Sequence, residues 1–212
     1  MLGEYTVNYK KTHSQTLLPM LDEVAQMIEL DLESVDAIAI AGGPGSFTGL
    51  RIGSATAKGL GLALKKPIVN VPTVEGLAYN LVGCPEVVCP LMDARRNQTY
   101  TGLYTFQGNE MTTLKEQCAV GIDEIIDTIN TTGREVVFLG DGVPVFRDYI
   151  AEHCKVPYRF APAHMNKQRA SAVAVLGMKY FSEGRYESAA EHKPEYLRLS
   201  QAERERLEKQ KC

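Results

Sequence analysis

The residues best suited to bind a phosphate group lie in a glycine-rich stretch, residues 42–53, which reads GGPGSFTGLRIG. It follows the apolar run Ala37–Ala41, which predicts a strand buried on both faces, and it leads into a predicted helix. A strand, a glycine turn and a helix can aim free backbone N–H groups at an anion or let another backbone approach closely. The spacing is neither the dinucleotide fingerprint nor the P-loop. Gly43, Gly45 and Ser46 are candidate nucleotide-binding residues, and a tight turn that needs a positive φ is the alternative.

The predicted helix Thr48–Leu64 carries small residues at every fourth position, so that they form one stripe. The stripe consists of Gly49, Gly53, Ala57 and Gly61. A glycine inside a helix costs roughly 0.5–1 kcal/mol relative to alanine, so the stripe favours the close approach of a second helix. That helix can belong to this chain, as ordinary packing, or to another subunit.

Composition excludes several classes of protein. The chain has 212 residues and a net charge of −3, which gives no electrostatic footprint for nucleic acid. No apolar run approaches the length of a membrane span, and no signal peptide opens the chain. The five cysteines form no CxxC pair and make an odd count, which favours reduced thiols. We therefore expect a cytoplasmic protein that makes no contact with a membrane.

Hydrophobic periodicity predicts the elements that position these residues. Glu4–Tyr9 alternates polar and apolar residues and predicts a half-buried strand. The next helix runs to about Glu29 and begins either with Ser14 as its N-cap or near Leu18, with Pro19 at its first position. Further strands are predicted at Asp36–Ala41, Pro67–Val71, Val87–Asp93, Gln98–Phe106, Glu110–Val120, Glu135–Leu139 and Tyr158–Phe160, and further helices at Val74–Val82, Ile122–Asn130, Val145–His153 and Gln168–Glu183.

The two halves of this order match. The second half has the order βββαβαβα, and the first half has the same order without its first two strands. A duplicated unit of this kind is the organisation of the actin-like and sugar-kinase superfold, in which two lobes face each other across a nucleotide cleft. We therefore predict a duplicated α/β fold with an N-terminal lobe at residues 1–85, a C-terminal lobe at 86–185 and a tail at 186–212.

In this fold two turns of the second lobe also become candidates for nucleotide binding. Asp93-Ala94-Arg95-Arg96 stands where the fold has its second phosphate motif, so Asp93 could hold Mg²⁺ and Arg95 or Arg96 a phosphate. A charged hairpin turn is the alternative. Gly140, Asp141 and Gly142 match the turn on the adenosine side of the cleft.

Several motifs together resemble the TsaB family, also called YeaZ. They are Thr12-His13-Ser14 leading to Leu17-Leu18-Pro19, the glycine block at 42–53 and Pro194–Ser200. The resemblance extends from about Glu4 to Glu205. It implies an actin-like ATPase (ASKHA, ribonuclease H-like) fold and a non-catalytic role in transferring a threonylcarbamoyl group to the adenosine beside the anticodon of tRNA.

The resemblance also implies partners and cofactors. A TsaD-like transferase carries the chemistry, a TsaE-like ATPase assists it, and the chain forms both a homodimer and a heterodimer with the transferase. The chain then meets tRNA only through the complex. No cofactor is expected to be tightly bound to the chain alone, although ATP or ADP with Mg²⁺ can bind in the complex.

One departure from the transferase concerns its metal. The transferase holds the metal with a His-x-x-x-His pair on the helix after the strand that matches Pro67–Val71. Thr73 and Leu77 stand at those two positions here, with Glu75-Gly76 between them. Leucine cannot ligate a metal, and such a site needs neutral imidazole. We therefore expect no metal site.

A second departure concerns the start of the chain. Members of the superfold begin with two strands whose turn carries an acidic phosphate motif, and both strands are missing before Glu4–Tyr9. Without them the strand predicted there has no partner in its own lobe, and an unpaired edge favours association. We expect Met1 to lie downstream of the true start; the alternative is that another chain fills the gap.

Three functions remain to be compared. The first is a scaffold subunit of the tRNA-modifying transferase, the second a self-contained ATPase or small-molecule kinase, and the third a metallopeptidase. The missing histidine pair counts against the third, and the missing phosphate motif counts against the second provided that the chain starts at Met1. For the first we predict a docking face, built from two helices, whose residues are His13, Leu17, Leu18, Leu21, Gly49, Gly53, Ala57 and Gly61.

Overall fold

The computed structural model describes residues 1–9 and 13–198. Its helices are α1 (His13–Met27), α2 (Phe47–Leu64), α3 (Thr73–Ala78), α4 (Ile122–Thr132), α5 (Val143–His153) and α6 (Ala170–Ser182). Its strands are β1 (Ile38–Gly43), β2 (Ile68–Pro72), β3 (Val87–Asp93), β4 (Gln98–Gln107), β5 (Glu110–Gly121), β6 (Val136–Leu139) and β7 (Tyr158–Phe160). Short 3-10 helices lie at Leu32–Ser34, Tyr79–Leu81 and Ala163–Met165.

The second half of the chain forms a five-stranded sheet in the order β5-β4-β3-β6-β7. The first three of its strands in sequence pair antiparallel, whereas β6 joins β3 and β7 joins β6 in parallel. This arrangement confirms the predicted order βββαβαβα.

Apolar side chains on both faces of this sheet make the main core. On one face α4 and α5 cover β3 and β6, with Ile125, Phe138 and Ile150 among the fully buried side chains. On the other face α3 packs Leu77 against Tyr104. Burying a large apolar side chain contributes about 1.5–3 kcal/mol, so this sheet is the rigid base on which the second-lobe turns stand.

The first half forms a separate sheet of two parallel strands, β1 and β2. One face is covered by α2 and the other by α6, and a Cβ added at Gly177 of α6 would lie only 2.6 Å from the Cβ of Ala39 in β1. The helix that the sequence assigns to the second lobe therefore covers a face of the first sheet.

A cavity of about 750 Å³ lies beside β1, because among the described residues this strand pairs only with β2. The cavity is lined by β1 and by residues of α1, α2 and α6. Ile38 and Ala41 of β1 are consequently only half-buried. Helices cover both faces of β1, as the sequence predicts, but the edge that has no strand partner among the described residues leaves most of the strand only half-buried.

The segment Glu4–Tyr9 forms no strand, so that prediction is wrong. The Glu4 carboxylate instead accepts hydrogen bonds from the backbone N–H and hydroxyl of Ser171, at 3.0 and 2.9 Å, and from Arg169 at 3.3 Å. Burial acts to raise the pKa of Glu4, but these hydrogen bonds outweigh it and hold the pKa below its ordinary value. The segment thus caps the start of α6.

The first helix also departs from its prediction. It begins at His13, so Ser14 lies inside the helix and is not its N-cap, and the alternative start near Leu18 is wrong as well. Pro19 removes the backbone hydrogen bond to the carbonyl of Gln15, which usually ends a helix. Here α1 packs against α2, and such packing outweighs local preference.

Candidate functional site

The glycine turn between β1 and α2 uses polar groups of Gly43 and Ser46 in hydrogen bonds within the chain. The backbone N–H of Gly43 donates to Oγ1 of Thr73 at 3.1 Å, and Ser46 caps α2 by accepting from the N–H of Gly49 at 3.4 Å. Gly43 has a φ of 136°, so the turn needs glycine there, as the alternative interpretation requires. Gly45 lies half-buried in the same turn.

The structure brings the two candidate turns of the second lobe together. The backbone N–H of Asp93 donates to Oδ1 of Asp141 at 3.2 Å, and the N–H of Gly142 donates to the carbonyl of Leu91 at 2.9 Å. Both turns follow the carboxyl ends of parallel neighbouring strands, β3 and β6, which meet at one edge of the sheet. Asp93 and Asp141 therefore lie next to each other where the sequence predicts the second-lobe part of a nucleotide site.

The Arg95 side chain is held only weakly, by its contact with Asp93. Its backbone N–H donates to Oδ1 of Asp93 at 2.9 Å, and its guanidinium lies 3.4 Å from Oδ2 of the same residue. The Arg95 side chain is 87% exposed, so the ion pair contributes little to stability. The guanidinium can therefore turn toward a ligand at small cost.

The C-terminal segment 193–198, which we call the strap, links the two sets of turns. The backbone N–H of Glu195 donates to the carbonyl of Gly42 at 2.7 Å, and the guanidinium of Arg198 donates to the carbonyl of Ala94. Three residues of extended chain span about 10 Å. The first-lobe and second-lobe turns therefore face each other across a narrow gap that the strap fills. The motif Pro194–Ser200 marks this segment in the sequence, but nothing in the motif indicates that the segment crosses between the lobes.

The residues that lead into the strap pack against the small-residue stripe on α2. Ala57 is buried, and a Cβ at Gly61 would lie 2.7 Å from the Cβ of Ala189. Lys58 fixes the same turn by donating to the carbonyls of Ala190 and His192, at 2.9 and 3.0 Å. Packing within the chain thus accounts for half of the stripe, and its partner there is a turn rather than a helix.

The other residues of the predicted docking face are more exposed to solvent than Ala57 and Gly61. Leu18 and Leu21 of α1 are 54% and 43% exposed, and Leu17 is half-buried beside the β1 cavity. Gly49 and Gly53 line a groove of about 720 Å³ together with α1 and the N-terminal segment. His13 begins α1, and its side chain lies outside the described part of the chain.

The two positions that match the transferase's histidine pair are used for packing. Thr73 is 7% exposed and accepts from Gly43, and Leu77 is 1% exposed in the core. Within residues 1–9 and 13–198, no group of three or more histidine, cysteine, aspartate or glutamate side chains could hold a metal ion.

We expect the dialysed protein to contain no stoichiometric zinc or iron. Thr73 and Leu77 offer no imidazole, and Zn²⁺ sites in proteins are built from cysteine, histidine and carboxylate ligands. Elemental analysis by mass spectrometry checks this, and one metal ion per chain would contradict the interpretation of these two positions.

Glu75, between those two positions, is a buried carboxyl group. It accepts a hydrogen bond from the hydroxyl of Tyr180 in α6, and the Arg185 guanidinium lies 3.5 Å from the centre of the Tyr180 ring. Burial raises the pKa of Glu75 above its ordinary value, although Tyr180 and Arg185 oppose this. The pair joins α3 to α6 underneath the glycine turn.

Comparisons with known proteins identify relatives of this chain. The family model described as "TsaD: tRNA N6-adenosine threonylcarbamoyltransferase" matches residues 2–206. The tRNA threonylcarbamoyladenosine biosynthesis protein TsaB of Bacillus subtilis is 31% identical over 213 residues, covering 100% of this chain and 90% of that protein. TsaB of Escherichia coli is 28% identical over 192 residues, covering 89% of this chain and 81% of that protein.

The solved structure of YeaZ from Pseudomonas aeruginosa superposes with a TM-score of 0.71 at 26% identity, covering 88% of this chain and 86% of that one. This likeness confirms the predicted actin-like fold. Within the described residues, no helix is both long enough and apolar enough to cross a membrane. The chain belongs to the family that the matching model describes and, within it, to the TsaB (YeaZ) proteins.

Proposed function

We propose that this chain acts in the formation of threonylcarbamoyladenosine on tRNA, as a non-catalytic subunit that binds a TsaD-like transferase and supports its activity. The names of the TsaB relatives support the pathway. The observation that carries the non-catalytic role is the use of Thr73 and Leu77, which are buried in packing where the transferase's metal ligands are expected. The chemistry then belongs to the partner.

The surface that we propose for docking is the outer face of α1 with the start of α2. Leu18 and Leu21 expose much of their apolar surface there, beside the groove at Gly49 and Gly53. Ala57 and Gly61 are excluded from this surface because they pack against the chain's own residues. We propose that the homodimer and the heterodimer with the transferase share this face.

The other partners follow from the same proposal. A net charge of −3 does not favour direct binding to a polyanion, so the chain meets tRNA through the complex. A TsaE-like ATPase joins that complex. ATP or ADP with Mg²⁺ binds in the assembly and not tightly to the chain alone, and the chain functions in the cytoplasm.

The substitution Leu18→Arg is expected to weaken binding to the TsaD-like transferase of the same organism by about ten- to a hundredfold. It removes apolar contact worth about 1.5–3 kcal/mol and places a charge in the contact, and each 1.4 kcal/mol is about tenfold in affinity. Isothermal titration calorimetry measures the affinity, and reconstituted threonylcarbamoyl transfer measures the supporting activity.

The matched control is Val145→Arg on α5, because Leu18 and Val145 have similar exposed fractions of 54% and 59%. The control should bind and support the transferase as the wild type does. Circular dichroism must show that both variants are folded. Normal binding by Leu18→Arg, or equal weakening by the two variants, would place the docking surface elsewhere.

A further inference from the structure

The turn between β3 and β4 has an unusual backbone. Arg95, Arg96 and Asn97 follow one another in the left-handed region, with φ values of 64°, 55° and 59°. Residues other than glycine are uncommon in this region because their Cβ crowds the backbone, which costs free energy at each position. Asparagine is often found there, but arginine has no such advantage. Two arginines therefore occupy positions that glycine would occupy at a lower cost.

Backbone hydrogen bonds hold this turn in place. The N–H of Ala94 donates to the carbonyl of Gln98 at 3.0 Å, and the N–H of Gln98 donates to the carbonyl of Arg95 at 3.1 Å. The carbonyl of Asn97 accepts a hydrogen bond of 3.3 Å from the N–H of Ile122. Strained residues that their surroundings hold in this way cluster at functional sites. We call residues 94–97 the arginine turn.

Both arginine side chains are available to a ligand. The Arg95 side chain is 87% exposed, whereas the side chain of Asp93, which lies 3.4 Å from its guanidinium, is 19% exposed. Arg96 is exposed as well. A guanidinium carries five N–H donors in a planar fork that matches the oxygens of a phosphate group. The turn thus offers two cationic donors to the solvent beyond the Asp93 carboxylate.

The arginine turn lies at the same end of the molecule as the start of α2. The strap joins the two, since the backbone of Glu195 bonds to the glycine turn before α2 and Arg198 donates to the carbonyl of Ala94. Arg51 near the start of α2 is also exposed, and its guanidinium lies 4.2 Å from the centre of the Phe47 ring. The proposed docking face includes the start of α2, so the arginine turn stands beside it.

Negative charge close to the turn weakens its attraction for an anion. Asp93 and Asp141 lie beside it, joined by a hydrogen bond of 3.2 Å from the Asp93 N–H to Oδ1 of Asp141. The chain alone is therefore expected to bind RNA weakly. When a docked partner already holds the RNA nearby, its effective concentration at the turn is high, and a weak contact then adds to the affinity.

We propose that the arginine turn contacts the phosphate backbone of the tRNA that a docked transferase holds. This inference rests on the proposed function, which brings the transferase and its tRNA to this end of the molecule. Phosphate contacts position a nucleic acid without reading its sequence, so the turn serves each tRNA substrate alike. A turn with a purely structural role would have no need of two arginines at positions where glycine costs less.

The double variant Arg95→Gly/Arg96→Gly separates this role from a structural one. It relieves the strain and removes both guanidiniums, so stability and tRNA binding should change in opposite directions. We expect the melting temperature to rise by about 2–8 °C and the affinity of the complex for tRNA to fall about tenfold. The slope of log affinity against log salt concentration should become shallower by about two, because two phosphate contacts are lost.

Two further variants serve as controls. Arg95→Lys/Arg96→Lys keeps both charges and should keep the salt slope of the wild type, since lysine binds phosphate as a point charge. Arg134→Ala/Lys155→Ala also removes two exposed positive charges, but before the amino ends of β6 and β7, at the opposite end of the sheet. It should leave tRNA binding unchanged. Fluorescence anisotropy of an unmodified tRNA, with the transferase of the same organism and each full-length variant, measures the affinity.

Several outcomes would overturn the proposal. They are an unchanged tRNA affinity and salt slope in the glycine variant, an equal weakening by the alanine control, and a lysine variant whose slope falls as far as that of the glycine variant. A glycine variant that melts no higher than the wild type would contradict the strain. Isothermal titration calorimetry with the transferase separates the two proposals. A wild-type chain that does not bind the transferase overturns both, whereas normal transferase binding with unchanged tRNA affinity overturns only the role of the arginine turn.

Discussion

The substitution Gly177→Ala is expected to lower the free energy of unfolding by about 1–3 kcal/mol, as overpacking of a core does. The new Cβ would lie 2.6 Å from the Cβ of Ala39. Because Ala39 belongs to β1, it can yield only if the strand or α6 moves. Such a loss lowers the melting temperature by about 2–4 °C per kcal/mol in a protein of this size, which calorimetry measures.

Gly59→Ala is the matched control, since it makes the same change inside a helix. Nothing lies within 4 Å of the position that its Cβ would take. Alanine there should raise the free energy of unfolding by about 0.5–1 kcal/mol, through the better helix preference alone. If Gly177→Ala were stabilising too, α6 would not be packed on β1 as the structure has it.

Most of the second lobe could be predicted from the sequence because each of its strands has buried neighbours. The predicted bounds of β3 and β7 agree with the structure at both ends. Alternation in Glu4–Tyr9 gave a wrong strand, because alternation indicates which residues share a face but not whether a hydrogen-bonding neighbour exists. β1 likewise has a hydrogen-bonding strand on only one side among the described residues, and this leaves it half-buried.

The residues of the candidate site could be predicted from the sequence. The segment that fills the gap between the two lobes could not. Asp93 and Asp141 were each assigned to the cleft, and they lie side by side. The stripe on α2 indicated close approach, but small residues at this spacing fit a helix, a second subunit or a turn equally well. The turn around Ala189 lies far along the chain, so no local pattern could identify it.

The substitution Tyr180→Phe is expected to lower the free energy of unfolding at pH 8 by about 1–3 kcal/mol, the usual cost of leaving a buried polar group without its partner. The Tyr180 hydroxyl donates to the Glu75 carboxylate, and the two residues are 4% and 8% exposed. Phenylalanine keeps the ring on which Arg185 stacks. The loss therefore isolates the hydrogen bond, and urea unfolding measures it.

The loss should depend on pH in a defined direction. Burial raises the pKa of Glu75 above its ordinary value of 4.5, with Glu116 and Glu195 raising it further and Tyr180 and Arg185 opposing. Stability from this carboxyl is fully present below pH 4.5 and is lost as the pH rises through the folded-state pKa. Tyr180 stabilises the ionised form, so the deficit of Tyr180→Phe should grow as the pH rises from 4 to 8.

Tyr104→Phe provides the matched control because it deletes the same atom from a buried tyrosine. Tyr104 is fully buried, and its hydroxyl has no hydrogen-bond partner among the described residues. Removing an unsatisfied hydroxyl is neutral or stabilising, so Tyr104→Phe should unfold at the same or a higher urea concentration, with no added dependence on pH. Equal losses in the two variants would mean that the Tyr180–Glu75 hydrogen bond adds no stability of its own, and that this pair does not join α3 to α6 underneath the glycine turn.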